Sequence, residues 1–352
     1  MSTRVRSFSK INLGLAVGPT RADGFHGLTT VYQTLALHDV VTVSARRAAK
    51  TVIRLSADHV GVPSTAQGNG ERNTAWKIVA GALARLGVTA EVEIEIEKRL
   101  PVQGGMGAGS ANAAAALLGL ERELGVVLNG TERLKLAAGV GSDVPLFLLG
   151  GTVLGLGRGE EVYPLPESPA MHCVVAVPGV GVSTALAFKE LDLRQGSGIT
   201  DQGSEDTALT FQQGEGRLKE LSYALAAVWT TDGVEAGPSG IARPVGFGHG
   251  GDLAENPLLA LVRTGIENDF EEVVFSQHPS LRSTKRDLLG SSDDSGEGCV
   301  YAALSGSGSA LFGLYETRAA AEAAQQRVQA NGTRAILTET LPRREYWQSM
   351  FA

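Results

Sequence analysis

The sequence predicts an α+β protein built from two domains, and three observations carry that prediction. First, an alternating strand, with Val92, Ile94 and Ile96 set between glutamates, runs through a glycine-rich turn into an alanine-rich helix from Ala111 to Leu124. Second, a late strand, helix and strand follow one another over Ala310 to Tyr315, Arg318 to Asn331 and Arg334 to Thr338, which suggests a small α+β layer. Third, 352 residues suffice for two cores, and a turn-rich boundary falls at Pro164 to Pro169. The expected domains are therefore 1–165 and 166–352.

In chain order, Ser9-Lys10-Ile11-Asn12-Leu13-Gly14-Leu15 reads as a strand. Lys10 and Asn12 project to one face and Ile11, Leu13 and Leu15 to the other, which suggests the wall of a pocket. Arg21-Ala22-Asp23-Gly24-Phe25-His26 reads as a turn that carries a histidine. The most informative stretch is Pro101-Val102-Gln103-Gly104-Gly105-Met106-Gly107-Ala108-Gly109-Ser110-Ala111-Asn112, with four glycines in six positions between a strand and a helix. Glycines there permit positive φ and close backbone approach, and the helix start directs free N–H groups and a positive dipole end at the same place. Together they describe a phosphate cradle. It is not a Walker loop, because no lysine follows the glycines, and the dinucleotide fingerprint fails because its third glycine would fall on Asn112. The His-Arg-Asp and Asp-Phe-Gly segments of protein kinases are absent as well.

Farther along, Gly141-Ser142-Asp143-Val144-Pro145 sets a carboxylate directly before the apolar run Val144 to Leu149. A carboxylate desolvated on one side needs a cation or a donor beside it. Cys173 to Val177 reads as a buried strand ending at Pro178-Gly179. Residues 194–251 read as a loop-rich insertion with one helical stretch, Leu218 to Trp229, and residues 290–298 as a polar tip. Helices are expected over Pro257 to Phe275 and Pro279 to Leu289. The alternating glycines and serines of Leu304-Ser305-Gly306-Ser307-Gly308-Ser309 expose backbone N–H groups and suggest a second anion nest.

The whole-chain properties narrow the function classes. A net charge of −7 without a basic block argues against a nucleic-acid binder. The longest apolar runs fall far short of the ~20 residues a membrane span needs, and Met1-Ser2-Thr3-Arg4 lacks the apolar core of a signal peptide. The two cysteines, Cys173 and Cys299, have no metal-ligand spacing and are expected to be structural. A cytoplasmic, metabolite-handling protein is the expectation.

Lys10-Ile11-Asn12-Leu13, the Ala-Asp-Gly-Phe-His turn, Thr30-Val31-Tyr32-Gln33, Lys98-Arg99-Leu100-Pro101, Gly141-Ser142-Asp143-Val144-Pro145 and Glu267-Asn268-Asp269-Phe270-Glu271 together resemble the GHMP small-molecule kinases. Within them the chain is most similar to the 4-diphosphocytidyl-2-C-methyl-D-erythritol kinases, strongly over residues 6–190 and more loosely over 255–340. The resemblance implies a ribosomal protein S5 domain 2-like N-terminal domain that binds ATP and a ferredoxin-like C-terminal domain that binds substrate. It implies ATP-dependent phosphorylation of the 2-hydroxyl of a cytidine diphosphate-linked polyol, in the non-mevalonate route to isoprenoid precursors. It implies Asp143 as base with Lys10 as its charge partner. Pro101, Gly104, Gly105, Met106, Gly107, Ala108, Gly109 and Ser110 would wrap the triphosphate, with the Ser110 hydroxyl facing a phosphate or Mg²⁺. Asn73 would belong to the adenine or ribose pocket. His26 would read the cytosine, Tyr32 and Phe188 would stack on its faces, Asn12 would orient the polyol, and Phe25 would belong to the substrate-binding set. No nucleic acid or membrane partner is implied, and the chain would act as a monomer or homodimer. Two alternatives stand beside this reading: another GHMP metabolite kinase, or a non-catalytic nucleotide sensor of the same fold. The chain departs from the family pattern at Phe25, where a tyrosine is usual, and at Ala108 and Ala111, which replace a glycine and a serine.

Overall fold

A computed structural model of the chain describes residues 2–21, 24–102, 104–196, 267–290 and 298–352, with the short segments 234–236 and 242–244. Two long strands, β1 (Thr3–Thr20) and β2 (His26–Arg47), pair antiparallel and form the spine of the first sheet. β3 (Val52–Ala57) lies parallel to β4 (Ala90–Glu97), which pairs with the Val40–Arg47 end of β2. The other end of β2, Thr30–Gln33, pairs with β5 (Thr152–Leu156), and β6 (Glu161–Pro164) completes the edge. In β4 the predicted alternation holds: Val92, Ile94 and Ile96 are buried, and Glu93 and Glu95 are exposed.

Three helices accompany this sheet: α1 (Thr74–Leu86), α2 (Ala108–Leu124) and α3 (Gly130–Val140). α2 starts three residues before the expected Ala111, because Gly107, at φ 69°, takes the capping position. Ala108 is thus the first helical residue, and its alanine side chain brings no left-handed strain. The run Ala113 to Ala116 is buried, and a Cβ on Gly119 would meet Val43 at 2.7 Å, so small residues let α2 lie close on β2.

The second sheet forms from β7 (His172–Val177), β10 (Cys299–Leu304), β11 (Leu311–Tyr315) and β12 (Arg334–Glu339), in the order β10-β11-β7-β12 and antiparallel throughout. Between β7 and β10 come α4 (Thr184–Gly196), a short antiparallel pair β8 (Val234–Ala236) and β9 (Ala242–Pro244), α5 (Phe270–Gln277) and α6 (Pro279–Leu289). α7 (Arg318–Ala330) joins β11 to β12. Strand, helix, two strands, helix and strand, with the four sheet strands ordered second, third, first, fourth, make the expected ferredoxin-like layer. Ile11, Leu13, Val31 and Leu35 share one buried cluster with Cys173, Val175, Phe312 and Leu314, so the apolar face of β1 packs toward the second sheet. Each such side chain contributes roughly 1.5–3 kcal/mol on burial. Burial also pushes the Cys173 and Cys299 thiols above their ordinary range, in keeping with a structural role.

The chain then returns to the first sheet. In α8 (Arg343–Ser349) the Tyr346 hydroxyl donates to Phe147 O (2.6 Å), and beyond the helix Arg6 N–H donates to Met350 O (2.8 Å). The end of the chain therefore packs on the expected N-terminal domain although it lies beyond residue 165.

One expected helix is cut. Glu267 to Asp269 are not helical, because Leu15 of β1 exchanges backbone bonds with Glu267 O (3.0 Å) and Asp269 N (3.0 Å). The Asn268 side chain then caps Phe270 N, where α5 begins. Residues 257–266, most of the 194–251 insertion with its Leu218–Trp229 stretch, and 291–297 of the polar tip lie outside the described residues. No helix among the described residues is long and apolar enough to cross a membrane.

Candidate active site

Four distant segments meet at Lys10. On β1, Lys10 and Asn12 share a face, as predicted, and both are nearly fully buried. Lys10 Nζ donates to Asn12 Oδ1, and Asn12 Nδ2 donates to Thr30 Oγ1 (2.7 Å) on the neighbouring strand. Both polar ends of the Asn12 amide are therefore already engaged. Asp143, in the turn before the 3₁₀ segment Pro145–Leu148, sets Oδ2 3.5 Å from Lys10 Nζ. Val144, Leu146 and Phe147 sink into the core, which leaves Asp143 at the seam with 30% of its side chain exposed.

The glycine loop lies against the same lysine. Lys10 N–H donates to Met106 O (3.1 Å), and a Cβ on Gly107 would come 3.1 Å from Lys10 Cγ. Gly105 and Gly107 take positive φ, 73° and 69°. Ser110, in the first turn of α2, has its hydroxyl 3.7 Å from where a Cβ on Gly141 would stand, so it borders the Asp143 turn. Gln103 lies outside the described residues.

The late glycine-serine turn closes over this loop. Ser305 Oγ donates to Gly105 O (3.0 Å), and Ala310 N–H donates to Gly104 O (3.3 Å). Gly105 has no alternative here, since a Cβ would stand 2.1 Å from Ser305 O. Asn268, 3% exposed, holds the turn by donating to Leu304 O and Gly306 O, each at 2.8 Å. Glu271 accepts from Leu304 N (2.8 Å) and pairs with Lys285 (2.6 Å). The sequence supplied Asn268 and Glu271 only as family marks; the structure shows what they hold.

A second anchor was hidden in Lys98-Arg99-Leu100. Asp39, fully buried on β2, pairs with Lys98 and accepts from Arg99 N and Leu100 N (both 2.8 Å) and from Asn112 Nδ2 (3.2 Å). Asn112 in turn accepts from Ser7 Oγ (2.6 Å). One carboxylate thus ties together the chain just before the glycine loop and the helix just after it. An invariant spacing would not reveal this, because Asp39 sits some sixty residues away on another strand.

The aromatic residues divide differently from the expectation. Phe188 of α4 stacks on His26, with ring centres 5.0 Å apart and 12° between planes, and meets Phe270 edge-on at 4.9 Å. His26 also faces Gly18 O (3.0 Å) and Asp192 (3.2 Å), so both of its ring nitrogens have partners. Tyr32, expected to stack beside Phe188, is instead 2% exposed, and its hydroxyl donates to Asp143 Oδ1 (3.1 Å). A buried ring has no free face to offer a base. Phe25 is 54% exposed, with the Arg158 guanidinium 4.9 Å from its ring centre. Asn73, expected at the adenine or ribose, caps α1. Its Oδ1 accepts from Ala75 N (2.9 Å) and its Nδ2 donates to Pro63 O (3.0 Å), so both ends of the amide already serve the start of the helix. Two links join the aromatic region to Lys10. The β5–β6 turn carries Arg158 to Phe25 and Gly159 to Tyr32, and Thr184 at the start of α4 hydrogen-bonds Ser307 (2.7 Å).

Comparison with known proteins shows the family to which this fold belongs. Residues 73–151 match the family model of the GHMP kinases N terminal domain, and 254–334 that of the GHMP kinases C terminal. A 4-diphosphocytidyl-2-C-methyl-D-erythritol kinase from Solibacter usitatus is 35% identical over 314 residues, spanning 89% of this chain and 81% of the relative. Another from Moorella thermoacetica is 31% identical over 95% of this chain and 98% of its own. Among solved structures, a 4-(cytidine 5'-diphospho)-2C-methyl-D-erythritol kinase aligns over 96% of this chain and 98% of its own, with a TM-score of 0.63 and 25% identity. A homoserine kinase from Cytophaga hutchinsonii, 20% identical, aligns with a TM-score of 0.65 over 98% of this chain and 96% of its own, which shows the shared fold. This chain belongs to the GHMP kinases and, within them, to the 4-diphosphocytidyl-2-C-methyl-D-erythritol kinase family.

Proposed function

We propose that the chain transfers the terminal phosphoryl group of ATP to the 2-hydroxyl of 4-diphosphocytidyl-2-C-methyl-D-erythritol, giving the 2-phosphate and ADP. The observation that carries this reading is the meeting of Asp143 with Lys10 beside the glycine loop, 3.5 Å apart, with one member buried and the other partly exposed. Phosphoryl transfer asks the protein mainly for positioning and charge stabilisation. Asp143 takes the proton of the substrate hydroxyl as that oxygen bonds to the γ-phosphorus. The bond from phosphorus to the bridging oxygen breaks, and ADP leaves with its electron pair. Lys10 supplies a fixed positive charge beside the transferring group. The backbone from Gly104 to Ser110 and the start of α2 hold the phosphates.

Mg²⁺ fits this site as a companion of ATP. Among the described residues no cluster of three His, Cys, Asp or Glu side chains exists to hold a metal alone, and the cradle offers the Ser110 hydroxyl. A hard cation ligated mostly by phosphate and water suits that donor set and neutralises phosphate charge. At the other end, Phe25 and the stacked pair of Phe188 and His26 are the surfaces that receive the cytosine, with Phe25 in the stacking role first expected of Tyr32. The reading is of a cytoplasmic enzyme, monomeric or homodimeric, acting on a small metabolite.

The test is ADP release from the purified chain with Mg-ATP, with and without the cytidine-linked substrate and with Asp143→Asn in parallel. Substrate-dependent release that collapses in the variant supports both reaction and base. Release that is indifferent to this substrate, or silent with it, rejects the assignment.

A further inference from the structure

Asp143 is held from two sides, and only one of them is a charge. Lys10 approaches Oδ2, while the Tyr32 hydroxyl reaches Oδ1 at 3.1 Å. Tyr32 lies opposite Asn12 in the β1–β2 pairing and opposite Val153 in β5. Two glycines make room for its ring: a Cβ on Gly155 would stand 2.5 Å from Tyr32 Cε2, and one on Gly159 would stand 2.4 Å from the hydroxyl. The Lys10 ammonium lies 5.6 Å from the ring centre. Ring, hydroxyl and lysine are therefore confined to one arrangement.

We propose that Tyr32 is a positioning residue for phosphoryl transfer, its hydroxyl fixing Oδ1 of Asp143 so that the oxygen on the Lys10 side takes the substrate proton. The inference rests on the reading of Asp143 as base. Burial, the nearby Asp143 charge, its hydrogen bond and the Glu160 charge hold the Tyr32 phenol well above its ordinary range, so the hydroxyl stays a donor at working pH. The charged groups around it are Lys10 from β1, Asp143 itself, and Glu160 with its partner Arg158 from the β5–β6 turn. The competing acceptor, Gly159 O, is farther away at 3.4 Å. Positioning of this kind lowers the barrier by holding the reacting atoms in line, without contact between the residue and the substrate.

Tyr32→Phe removes the hydroxyl and keeps the ring, so the fold is retained. In the full chain we expect kcat to fall about tenfold or more, as for a lost hydrogen bond to a charged group, with KM for ATP and for substrate within about twofold of the parent. In an Asp143→Asn background the same change should alter the residual single-turnover rate less than about twofold, because the group it positions is gone. Equal losses in both backgrounds, or an unchanged kcat, overturn the proposal. A raised substrate KM at constant kcat also overturns it, and returns Tyr32 to the substrate. Full activity in Asp143→Asn alone would instead reject the base assignment, a result distinct from failure of the Tyr32 proposal.

Discussion

The two ends of the proposed site are built in opposite ways. At the end proposed for the phosphates, Lys10, Asn12, Asn112, Asn268 and Ser305 are each under 5% exposed and hydrogen-bonded to other side chains or to backbone. At the aromatic end, Phe25 is more than half exposed, and Asp192 leaves 48% of its side chain in water beside His26. Chemistry on a phosphorus atom tolerates little displacement, and a misplacement of about 1 Å can cost about a hundredfold in rate. Recognition of a flat base needs ring faces and a few polar groups that close on the ligand. One end is therefore preorganised by buried polar networks, and the other is assembled from surfaces.

That contrast predicts which variants damage what. The largest effect should come from Asp143→Asn, a loss of about 10²–10⁴ in kcat, with a smaller loss of thermal stability beside it, because buried Lys10 loses its counter-charge while the carboxylate site stays partly open to water. Asp39→Asn should act the other way. It leaves Lys98 buried without its counter-charge and should destabilise the chain by about 3–5 kcal/mol in denaturant titrations. Adding Lys98→Met should recover most of that loss. An undisturbed unfolding midpoint in the single variant would show that the network is not what holds the loop.

Gly105→Ala sharpens the comparison at the seam between the two sheets. Its Cβ must push Ser305 aside at a backbone φ of 73°, so KM for ATP should rise about tenfold, with a stability loss of about 1–3 kcal/mol. At the aromatic end, Phe188→Ala should be mildest. It should raise KM for the cytidine-linked substrate by the roughly 0.5–1.5 kcal/mol that a ring pair contributes, and leave KM for ATP alone. If KM for ATP moved equally, the two ends would not be separable.

Much of the phosphate end was legible in the chain. Strand period, glycine spacing and the carboxylate before an apolar run are local signals, and each maps to one element: β4, the loop into α2, and the Asp143 turn. The late glycine-serine segment was legible as a turn, but not as a buried one: Ser305, Ser307 and Ser309 are buried, and the turn lies on Gly104 and Gly105 instead of exposing its backbone. What stayed hidden was pairing at long range. Tyr32 reads as an aromatic in a strand, and only the β2–β5 pairing with its two glycines turns its hydroxyl toward Asp143. Asn73 has the same amide whether it meets a nucleotide or caps a helix, and only the turn from Gly70–Arg72 into α1 shows that it caps. Asp39 carries no local signal at all, since its partners arrive on the far side of β3 and α1.

The bond from Ser305 to Gly105 spans 200 residues. At about 5–20 residues per second on a ribosome, the glycine loop emerges roughly 10–40 s before the turn that covers it. Between residues 143 and 268 of that interval the nascent chain carries Lys10, the loop and Asp143, but neither Asn268 nor the turn it clamps. The first sheet also waits for its last pieces, because Met350 bonds Arg6 and Phe351 bridges Val5. The covering of the glycine loop and the closing of the first sheet thus both wait on segments made long after the residues they cover.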